Sequence, residues 1–325
     1  MIEKKIVSVQ GLNINFNTNQ GKVYAVNDVS FDIMKGETLA LVGESGCGQS
    51  VTALSLIGLL DKNANVTAQA LNLGKNNLLS LKKEEWRKLR GTEIAMIFQN
   101  PLSVLNPVLR IDHQLGEVFS THFPRMKKKE IYDNSMEMLK KVGVSNPKLR
   151  MKAYPHELSG GLRQRIMIAI ALSMNTPLLI ADEPTTALDA TIQAQILSLL
   201  KNLQKESGMA LLLITHDFGV VKKMAQQVAV MYSGTIVEKG SVDKILKEPK
   251  HPYTQCLIHA VETLKKNRGN RLETIEGNVP ELLKKPIGCS FAPRCSKATK
   301  YCFDVEPKGV WNDGHYVCCH LEGKV

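Results

Sequence analysis

The chain has 325 residues, of which 43% are hydrophobic, 22% charged and 5% aromatic, and its formal net charge is +11. These values describe an ordinary soluble globular protein, and the length suggests about two domains. A membrane-embedded chain is excluded, because no apolar run reaches the roughly 18 residues that cross a bilayer. The N-terminus has no apolar leader, so we expect a cytosolic protein.

The positive charge could attract nucleic acid or an anionic membrane surface, or it could lie on solvated faces. The lysine clusters at 127–129 and 284–285 are not interleaved with aromatic residues. Base stacking on aromatic side chains therefore has little support. We predict that nucleic acid is not a partner.

The N-terminal third of the chain begins with strand patterns. Residues 3–35 alternate apolar and polar positions between Gly and Asn residues, which predicts an antiparallel sheet layer. Residues 38–42 form a short and nearly all-apolar strand, and residues 51–60 continue as a helix. This strand, loop and helix are the context in which a phosphate-binding loop occurs.

The segment between that strand and helix matches the phosphate-binding template of Gly, four residues, Gly, Lys and Ser or Thr, except that Gln49 replaces the lysine. Its glycines would still let backbone amides surround a polyphosphate, and Ser50 could still offer its hydroxyl to Mg²⁺. Loss of the lysine charge would weaken nucleotide affinity by about ten- to a hundredfold. The predicted nucleotide-binding residues of this segment are Gly43, Glu44, Ser45, Gly46, Cys47, Gly48, Gln49, Ser50 and Val51.

The remaining elements predict an α/β core. Residues 94–98, 178–181 and 210–215 read as buried parallel strands, and residues 105–170 read as an inserted helical subdomain without a strand. Residues 228–240 return to strand and turn. The later segments are a short helix at 242–246, a break at the prolines of 249–253, a charged linker at 264–271 and a separate tail from about residue 272. No internal repeat is present, so one nucleotide-binding core is expected.

Two polar segments have both a structural and a functional interpretation. Asp182 and Glu183 end an apolar strand, where a carboxylate pair is often structural but can also hold Mg²⁺ and polarise an attacking water. Ser159 begins a strongly apolar helix, where it could simply cap the helix or form a second anion site. The glycine loop upstream favours the functional interpretation of both. The residues of the second segment are Leu158, Ser159, Gly160, Gly161, Leu162, Arg163 and Gln164.

Together these motifs resemble the ATP-binding cassette (ABC) family across the whole chain. The resemblance implies a P-loop NTPase cassette in which the segment at 158–164 is the signature that binds the ATP of a partner subunit. It implies that Gln99 helps to coordinate Mg²⁺ and that Asp189, in the segment 187–189, faces the dimer. It also implies that His216 contacts the γ-phosphate, although a histidine at a strand end is often only hydrogen-bonded.

Several short strings are similar to the oligopeptide and dipeptide branch of importer ATPases, which includes nickel importers. This branch implies a second, non-identical ATPase, two membrane permeases and an external substrate-binding protein as partners, with the chain peripheral on the cytoplasmic face of the membrane. The strings are Arg90-Gly91, residues 94–99, Leu105-Asn106-Pro107, residues 154–158 and His251-Pro252-Tyr253-Thr254.

The tail contains five of the seven cysteines, which in a cytosolic chain favour metal or free thiols over disulfides. Cys289, Cys295 and Cys302 are separated by five and six residues, a wider spacing than in ordinary zinc ribbons. The branch resembled carries a four-cysteine tail that in some members holds an iron–sulfur cluster, and Cys319 fits its fourth position. A 4Fe–4S cluster, Zn²⁺ or a metal-free packed tail are the alternatives.

We therefore predict an ABC ATP-binding domain at 1–255 and a C-terminal extension at 256–325. Catalysis is assigned to Glu183 and His216, with ATP and Mg²⁺ as cofactors, and Tyr24 is the nearest aromatic residue to the position expected to stack on adenine. The preferred function is an importer ATPase whose own site is impaired by Gln49. The alternatives are a regulatory subunit that binds ATP without turnover, and a soluble cassette that acts on ribosomes or DNA.

Overall fold

A computed structural model of the chain describes residues 4–186, 188–266, 277, 283 and 286–322. Its strands form two sheets that pack together around apolar side chains. Within these residues, every helix is too short or too polar to span a lipid bilayer. The strands are β1 Lys5–Thr18, β2 Gly21–Met34, β3 Thr38–Val42, β4 Ala64–Thr67, β5 Ala70–Leu73, β6 Asn76–Asn77, β7 Ile94–Ile97, β8 Leu178–Asp182, β9 Ala210–Ile214, β10 Gln227–Tyr232, β11 Thr235–Ser241, β12 Val310–Asn312 and β13 His315–Val317.

The helices lie mainly between the strands of the larger sheet. They are α1 Gln49–Ile57, α2 Lys83–Leu89, α3 Pro101–Val104, α4 Ile111–His122, α5 Lys128–Lys141, α6 Pro147–Met151, α7 Gly160–Leu172, α8 Ala190–Ser207, α9 Phe218–Met224, α10 Val242–Lys247, α11 Pro252–Lys266 and α12 Lys300–Asp304. The described residues between β7 and β8 contain helices and no strand, as predicted for the inserted helical subdomain.

The larger sheet has the order β12-β13-β11-β10-β3-β9-β8-β7. Its strands from β10 to β7 are parallel, and all five residues of β3, β8 and β9 are buried. Both faces of these strands are covered, which explains why their sequences are continuously apolar instead of alternating. The predicted parallel core is confirmed, with boundaries that shift by one residue at most for these three strands.

The smaller sheet is antiparallel, and β1 lies between β2 and both β4 and β5. Apolar side chains of β1 and β2 are buried in the same cluster as those of the larger sheet, and the N-terminal sheet layer is confirmed, although burial alternates strictly only in the second half of β2. The sequence did not predict β4, β5 and β6, because four-residue or shorter strands carry little periodicity.

The C-terminal segment is not a structurally separate tail. Strand β13 pairs with β11 of the larger sheet, with Glu238 opposite Val317 and Lys239 opposite Tyr316. An unpaired edge strand exposes a row of backbone hydrogen-bonding groups, and β13 covers part of this edge of β11. Helix α11 runs without a break across the predicted domain boundary at 255/256, and it includes residues 264–266 of the predicted linker. Residues 267–271 of that linker lie outside the described residues.

Candidate functional site

The predicted site lies at the carboxyl ends of three neighbouring strands. The phosphate loop follows β3, Asp182 ends β8 with Glu183 directly after it, and His216 follows β9. These strands are adjacent and parallel in the sheet, so their carboxyl ends meet at one edge. Open α/β sheets bind ligands at this edge.

The phosphate loop is tightly packed against backbone on one side. Gly48, the N-cap residue of helix α1, has a φ of 103°, and a Cβ atom there would lie 2.5 Å from the carbonyl oxygen of Ala25. Only glycine fits this conformation and this space. Among the described residues, the amides of Ser45, Gly46 and Gly48 have no hydrogen-bond partner. These unpaired donors, together with the start of α1, suit a polyphosphate.

Cys47 points away from this donor surface into the core. It is only 1% exposed, and burial raises the pKa of its thiol to about 12. Its backbone carbonyl accepts a hydrogen bond from the amide of Gly234 at 3.0 Å. The side chain of Cys47 therefore anchors the loop, while any contact with nucleotide would come from its backbone.

Gln49 does not extend its side chain into the loop. Its Nε2 atom donates a hydrogen bond to the carbonyl oxygen of Leu41 at 2.8 Å. Leu41 belongs to β3, so the amide of Gln49 is bound to the strand that precedes the loop. Val51, which follows in α1, is half-buried and packs against the main apolar cluster.

Ser50 and Asp182 are linked by a hydrogen bond across the site. The Ser50 hydroxyl is hydrogen-bonded to the carboxylate of Asp182, which is 7% exposed. Burial raises the pKa of Asp182, the Ser50 bond lowers it in part, and the neighbouring charge of Glu183 raises it further. A nearby cation would favour the ionised carboxylate, because it would offset both destabilising effects.

Glu183 is the centre of a polar cluster. Its Oε1 atom lies 2.9 Å from Nδ1 of His216, and its Oε2 atom accepts hydrogen bonds from Gln99 Nε2 at 2.6 Å and from Thr186 Oγ1 at 2.9 Å. Burial acts to raise the pKa of Glu183, but these hydrogen bonds and the charge of His216 lower it below its ordinary value. The carboxylate is thus ionised and fixed in direction.

The backbone of Glu183 is in a sparsely populated region, with a φ of 44°. Non-glycine residues reach this region at a cost of about 1–3 kcal/mol, and they concentrate at functional sites. The amide of Glu183 donates to the carbonyl oxygen of Ile214 at 3.0 Å, which holds this conformation against β9.

The signature segment is built at the start of helix α7. Ser159 and Gly160 are exposed, and the Ser159 side chain makes no hydrogen bond to its own helix end. Leu158 is buried, and Leu162 is half-buried. Arg163 donates to the carbonyl oxygen of Pro155 at 2.7 Å. Gly161 lies close to Ile192.

Gln164 connects this helix to the strand end that bears Glu183. It is 2% exposed, and its Nε2 atom donates to the carbonyl oxygen of Pro184 at 2.6 Å. Asp189 is exposed and caps helix α8 by accepting from the amides of Thr191 and Ile192. Ala187, the first residue of the predicted dimer-facing segment, lies outside the described residues. Among the described residues, no hydrogen bond joins the signature segment to the phosphate loop.

Tyr24 lies on β2, next to Ala25, whose carbonyl oxygen faces Gly48 of the phosphate loop. It is half-buried, and the Lys22 ammonium lies 5.2 Å from the centre of its ring. It lines a cavity together with Asn27, Ser233 and residues of the C-terminal segment. Its role in stacking on adenine stays a prediction.

The four cysteines selected from the sequence line one small cavity of about 20 Å³, together with His251 and His320. Burial raises the pKa of the thiols of Cys289, Cys295 and Cys319. In the part of the chain that the structure describes, no three His, Cys, Asp or Glu side chains are grouped closely enough to hold a metal ion. Cys302 is hydrogen-bonded to Thr299 at 3.5 Å.

Sequence reasoning missed two contacts of the site. Thr186 lies three residues after Glu183, a spacing that could have indicated a hydroxyl close to the carboxylate. Arg294 forms an ion pair with Glu44 of the phosphate loop from 250 positions away, and no local sequence signal indicates it.

Family models match two parts of this chain. The model described as "ABC transporter" matches residues 26–186, and "Oligopeptide/dipeptide transporter, C-terminal region" matches residues 237–302. The solved structures that it resembles include the ATP-binding cassette MJ0796 in a dimeric post-hydrolysis state with ADP and Pi. That likeness has a TM-score of 0.65 and 28% identity, and it covers 73% of this chain and 98% of that one. A second solved structure is CbiO1 from Clostridium perfringens, with a TM-score of 0.64 and 25% identity. The likeness covers 81% of this chain and 96% of the CbiO1 chain.

Curated relatives are similar over nearly the full length. The dipeptide transport ATP-binding protein DppD of Bacillus subtilis is 47% identical over 98% of this chain and 95% of the relative. DppD of Haemophilus influenzae is 44% identical over 97% of this chain and 95% of the relative. The oligopeptide transport ATP-binding protein AppD of Bacillus subtilis is 46% identical over 97% of this chain and 96% of the relative.

Proposed function

The chain belongs to the ABC transporter ATP-binding proteins that carry the oligopeptide/dipeptide transporter C-terminal region, and we propose that it converts ATP binding and hydrolysis into peptide uptake through membrane permeases. The observation that carries this proposal is the cluster of Gln99, Glu183 and His216 beside the phosphate loop. The names of the relatives, which refer to dipeptide and oligopeptide transport, support peptides as the cargo.

The residues of the loop fit a nucleotide. The unpaired amides of Ser45, Gly46 and Gly48 would bind its phosphates, and Ser50, Asp182 and Gln99 would hold Mg²⁺. The ion, when bound, neutralises charge on the phosphates. The ionised carboxylate of Glu183 would accept a proton from an attacking water, and His216 would orient that carboxylate and contact the γ-phosphate.

The exposed signature residues support action as a pair. Ser159 and Gly160 have no partner in the described part of their own chain that would prevent them from contacting the nucleotide of a second cassette. The proposed assembly contains a second, non-identical ATPase and two permeases. An external binding protein would deliver the cargo, and the chain would lie at the cytoplasmic face of the membrane without nucleic acid as a partner.

We further propose that the chain's own phosphate site is impaired. Gln49 supplies no cation, and its amide is occupied by Leu41. In a pair of cassettes the second site would use the intact signature residues of this chain, so one working site would remain. A regulatory subunit that binds ATP without turnover is the second candidate, and the bond between Gln49 and Leu41 is the observation that favours it.

The experiment is reconstitution of the chain with its permeases and second ATPase in lipid vesicles, followed by ATP-driven uptake of a labelled dipeptide. In the Gln49→Lys background, which restores the missing charge in this chain's own site, Glu183→Gln should reduce the ATPase activity of that site at least about tenfold. Glu206→Gln, at an exposed ion pair with Lys141, is the matched control and should change nothing. Uptake with no effect of Glu183→Gln even in the Gln49→Lys background would support the regulatory candidate, and absence of ATP-driven uptake would contradict both.

The proposal includes a metal centre at the four cysteines, supported by their shared cavity. In the described residues no three of these side chains are grouped closely enough to hold a metal ion, so both Zn²⁺ and a 4Fe–4S cluster would require the thiols to rearrange. Visible absorption together with metal analysis of anaerobically purified protein distinguishes cluster, zinc and a metal-free segment.

A further inference from the structure

The C-terminal segment makes a direct ionic contact with the phosphate loop. Arg294 donates from its two terminal nitrogens to the two carboxylate oxygens of Glu44, at 2.6 and 3.0 Å. The Arg294 side chain is 4% exposed and that of Glu44 is 27% exposed. This two-bond geometry is the strongest common pairing between an arginine and a carboxylate, and salt screens it little because it is largely removed from water.

A second contact holds the same loop residue. The amide of Glu44 donates to the hydroxyl of Tyr253 at 2.9 Å. Tyr253 is fully buried and packs against Tyr232 and Phe291, with ring centres 4.7 and 5.3 Å away. Both the backbone and the side chain of Glu44 are therefore bonded to residues that follow the last parallel strand of the core.

The position of Arg294 depends on the cysteine-bearing segment. Arg294 ends a 3₁₀ turn that begins at Ala292, and this turn lies between Cys289 and Cys295. The amide of Ala292 donates to the carbonyl oxygen of Cys289 at 3.0 Å. The amide of Cys295 donates to the carbonyl oxygen of Ala292 at 3.2 Å. Any change in the packing of these cysteines would displace the guanidinium group.

The ion pair also removes an electrostatic obstacle. Glu44 brings a negative charge into a loop whose unpaired amides suit a polyphosphate, and a free carboxylate there would repel that ligand. The pair with Glu44 holds the pKa of Arg294 above its ordinary value, so the neutralising charge is permanent. Because Gln49 supplies no positive charge to the loop, nucleotide affinity depends more strongly on the neutralisation of Glu44 by Arg294.

We propose that Arg294 is a positioning residue of the phosphate loop, through which the cysteine-bearing C-terminal segment sets the nucleotide affinity of the ATP site. The inference rests on the proposed function, because it requires nucleotide to bind in this loop. It deepens that function by linking the state of the C-terminal segment to the site.

The test measures the dissociation constant of a fluorescent ATP analogue, with the full chain and its Arg294→Gln, Arg294→Lys and Glu44→Gln variants. Arg294→Gln should weaken binding by about tenfold, and Arg294→Lys by less, because it keeps the charge but loses the second hydrogen bond. The double variant Arg294→Gln with Glu44→Gln should recover most of the affinity, because no unpaired carboxylate remains. Lys297→Gln removes the same charge from the same segment without touching the loop, since Lys297 bonds Gln255, and should leave binding unchanged.

A purely structural tether would lower the melting temperature in Arg294→Gln without this recovery of affinity in the double variant. Hydrogen exchange of residues 43–48 in the nucleotide-free chain provides an independent readout, and it should accelerate in Arg294→Gln but not in Lys297→Gln. A parent chain that binds ATP, with variants of equal affinity and equal exchange, would overturn this inference alone. A parent chain that binds no ATP would overturn the proposed function as well.

Discussion

The side-chain amide of Gln49 donates a hydrogen bond to the carbonyl oxygen of Leu41 at 2.8 Å. The same carbonyl accepts the amide of Thr215 at 3.2 Å. The residue that replaces the expected lysine is therefore bound to the sheet, and it would have to give up this bond in order to reach a phosphate. The loop therefore lacks the lysine cation, and the Gln49 side chain at that position points to β3.

Restoring the lysine should strengthen nucleotide binding. Gln49→Lys adds a charge-assisted hydrogen bond to the phosphates, and we expect ATP affinity to rise by about ten- to a hundredfold. The carbonyl of Leu41 would keep its bond from Thr215, so stability should change little. Equilibrium binding of ATP measures the effect. Gln20→Lys, at an exposed turn, adds the same charge elsewhere, and equal gains in both variants would refute a specific role for position 49.

Thr186 should affect turnover more than binding. Its hydroxyl donates to Glu183 at 2.9 Å, and removal of that bond would leave the carboxylate less well oriented. In the Gln49→Lys background, where this chain's own site has its cation, we expect Thr186→Val to lower kcat by about tenfold or more with KM for ATP nearly unchanged, because a hydrogen bond to an ionised carboxylate is lost. Steady-state ATPase assays of the assembled complex measure this, with Thr186→Ser as the control that keeps the hydroxyl. A rise in KM at constant kcat would instead place Thr186 in nucleotide binding.

The signature helix can be tested without disturbing the fold. Gly160 is exposed, and a Cβ atom there would meet nothing closer than 3.7 Å. Gly160→Asp places a carboxylate in the first turn of α7, where it suits the helix dipole, so the melting temperature of the isolated chain should not fall. The same charge would repel the nucleotide of a second cassette, and we expect loss of ATP-dependent association in analytical ultracentrifugation. Association equal to that of the parent chain would show that this surface does not meet a partner's nucleotide.

The stability of the chain should fall in mild acid because of His251. This residue is 1% exposed, and burial lowers its pKa from 6.5 to about 3. Below pH 6.5 the His251 side chain takes up a proton in the unfolded chain but not in the folded chain. The contribution of neutral His251 to the free energy of unfolding is therefore fully present above pH 6.5 and is lost as the pH falls towards 3. One such group removes about 1.4 kcal/mol of the free energy of unfolding per pH unit, or about 2 kcal/mol between pH 6.5 and 5.

Urea unfolding at pH 7 and pH 5 measures this loss. His251→Asn should show a smaller difference between the two values of pH, because asparagine does not titrate. His113→Asn is the control, since the His113 side chain is 66% exposed. An unchanged pH dependence in His251→Asn would assign the acid sensitivity to other groups.

The sequence predicted those parts of the fold and site that are contiguous in the chain. The strand at 38–42, its glycine loop and the following helix could be recognised because apolar periodicity and turn residues act locally. Residues 310–317 were assigned to a separate tail, yet β13 pairs with β11, because three-residue strands have no periodicity to detect. The prolines at 249 and 252 predict a break, yet α11 starts at Pro252, because proline is well suited to the first turn of a helix.

The amino-acid sequence by itself determined which chemistry is available: an anion-binding loop without its lysine, a carboxylate pair at a strand end, a signature helix and a group of cysteines. Only the tertiary structure decided which atom each of these groups contacts. Sheet order brought Glu183 to His216, and packing of the C-terminal segment brought Arg294 to Glu44 across 250 positions. Such contacts depend on how elements pack, and the energy of packing is shared among many distant residues, so no local pattern encodes them.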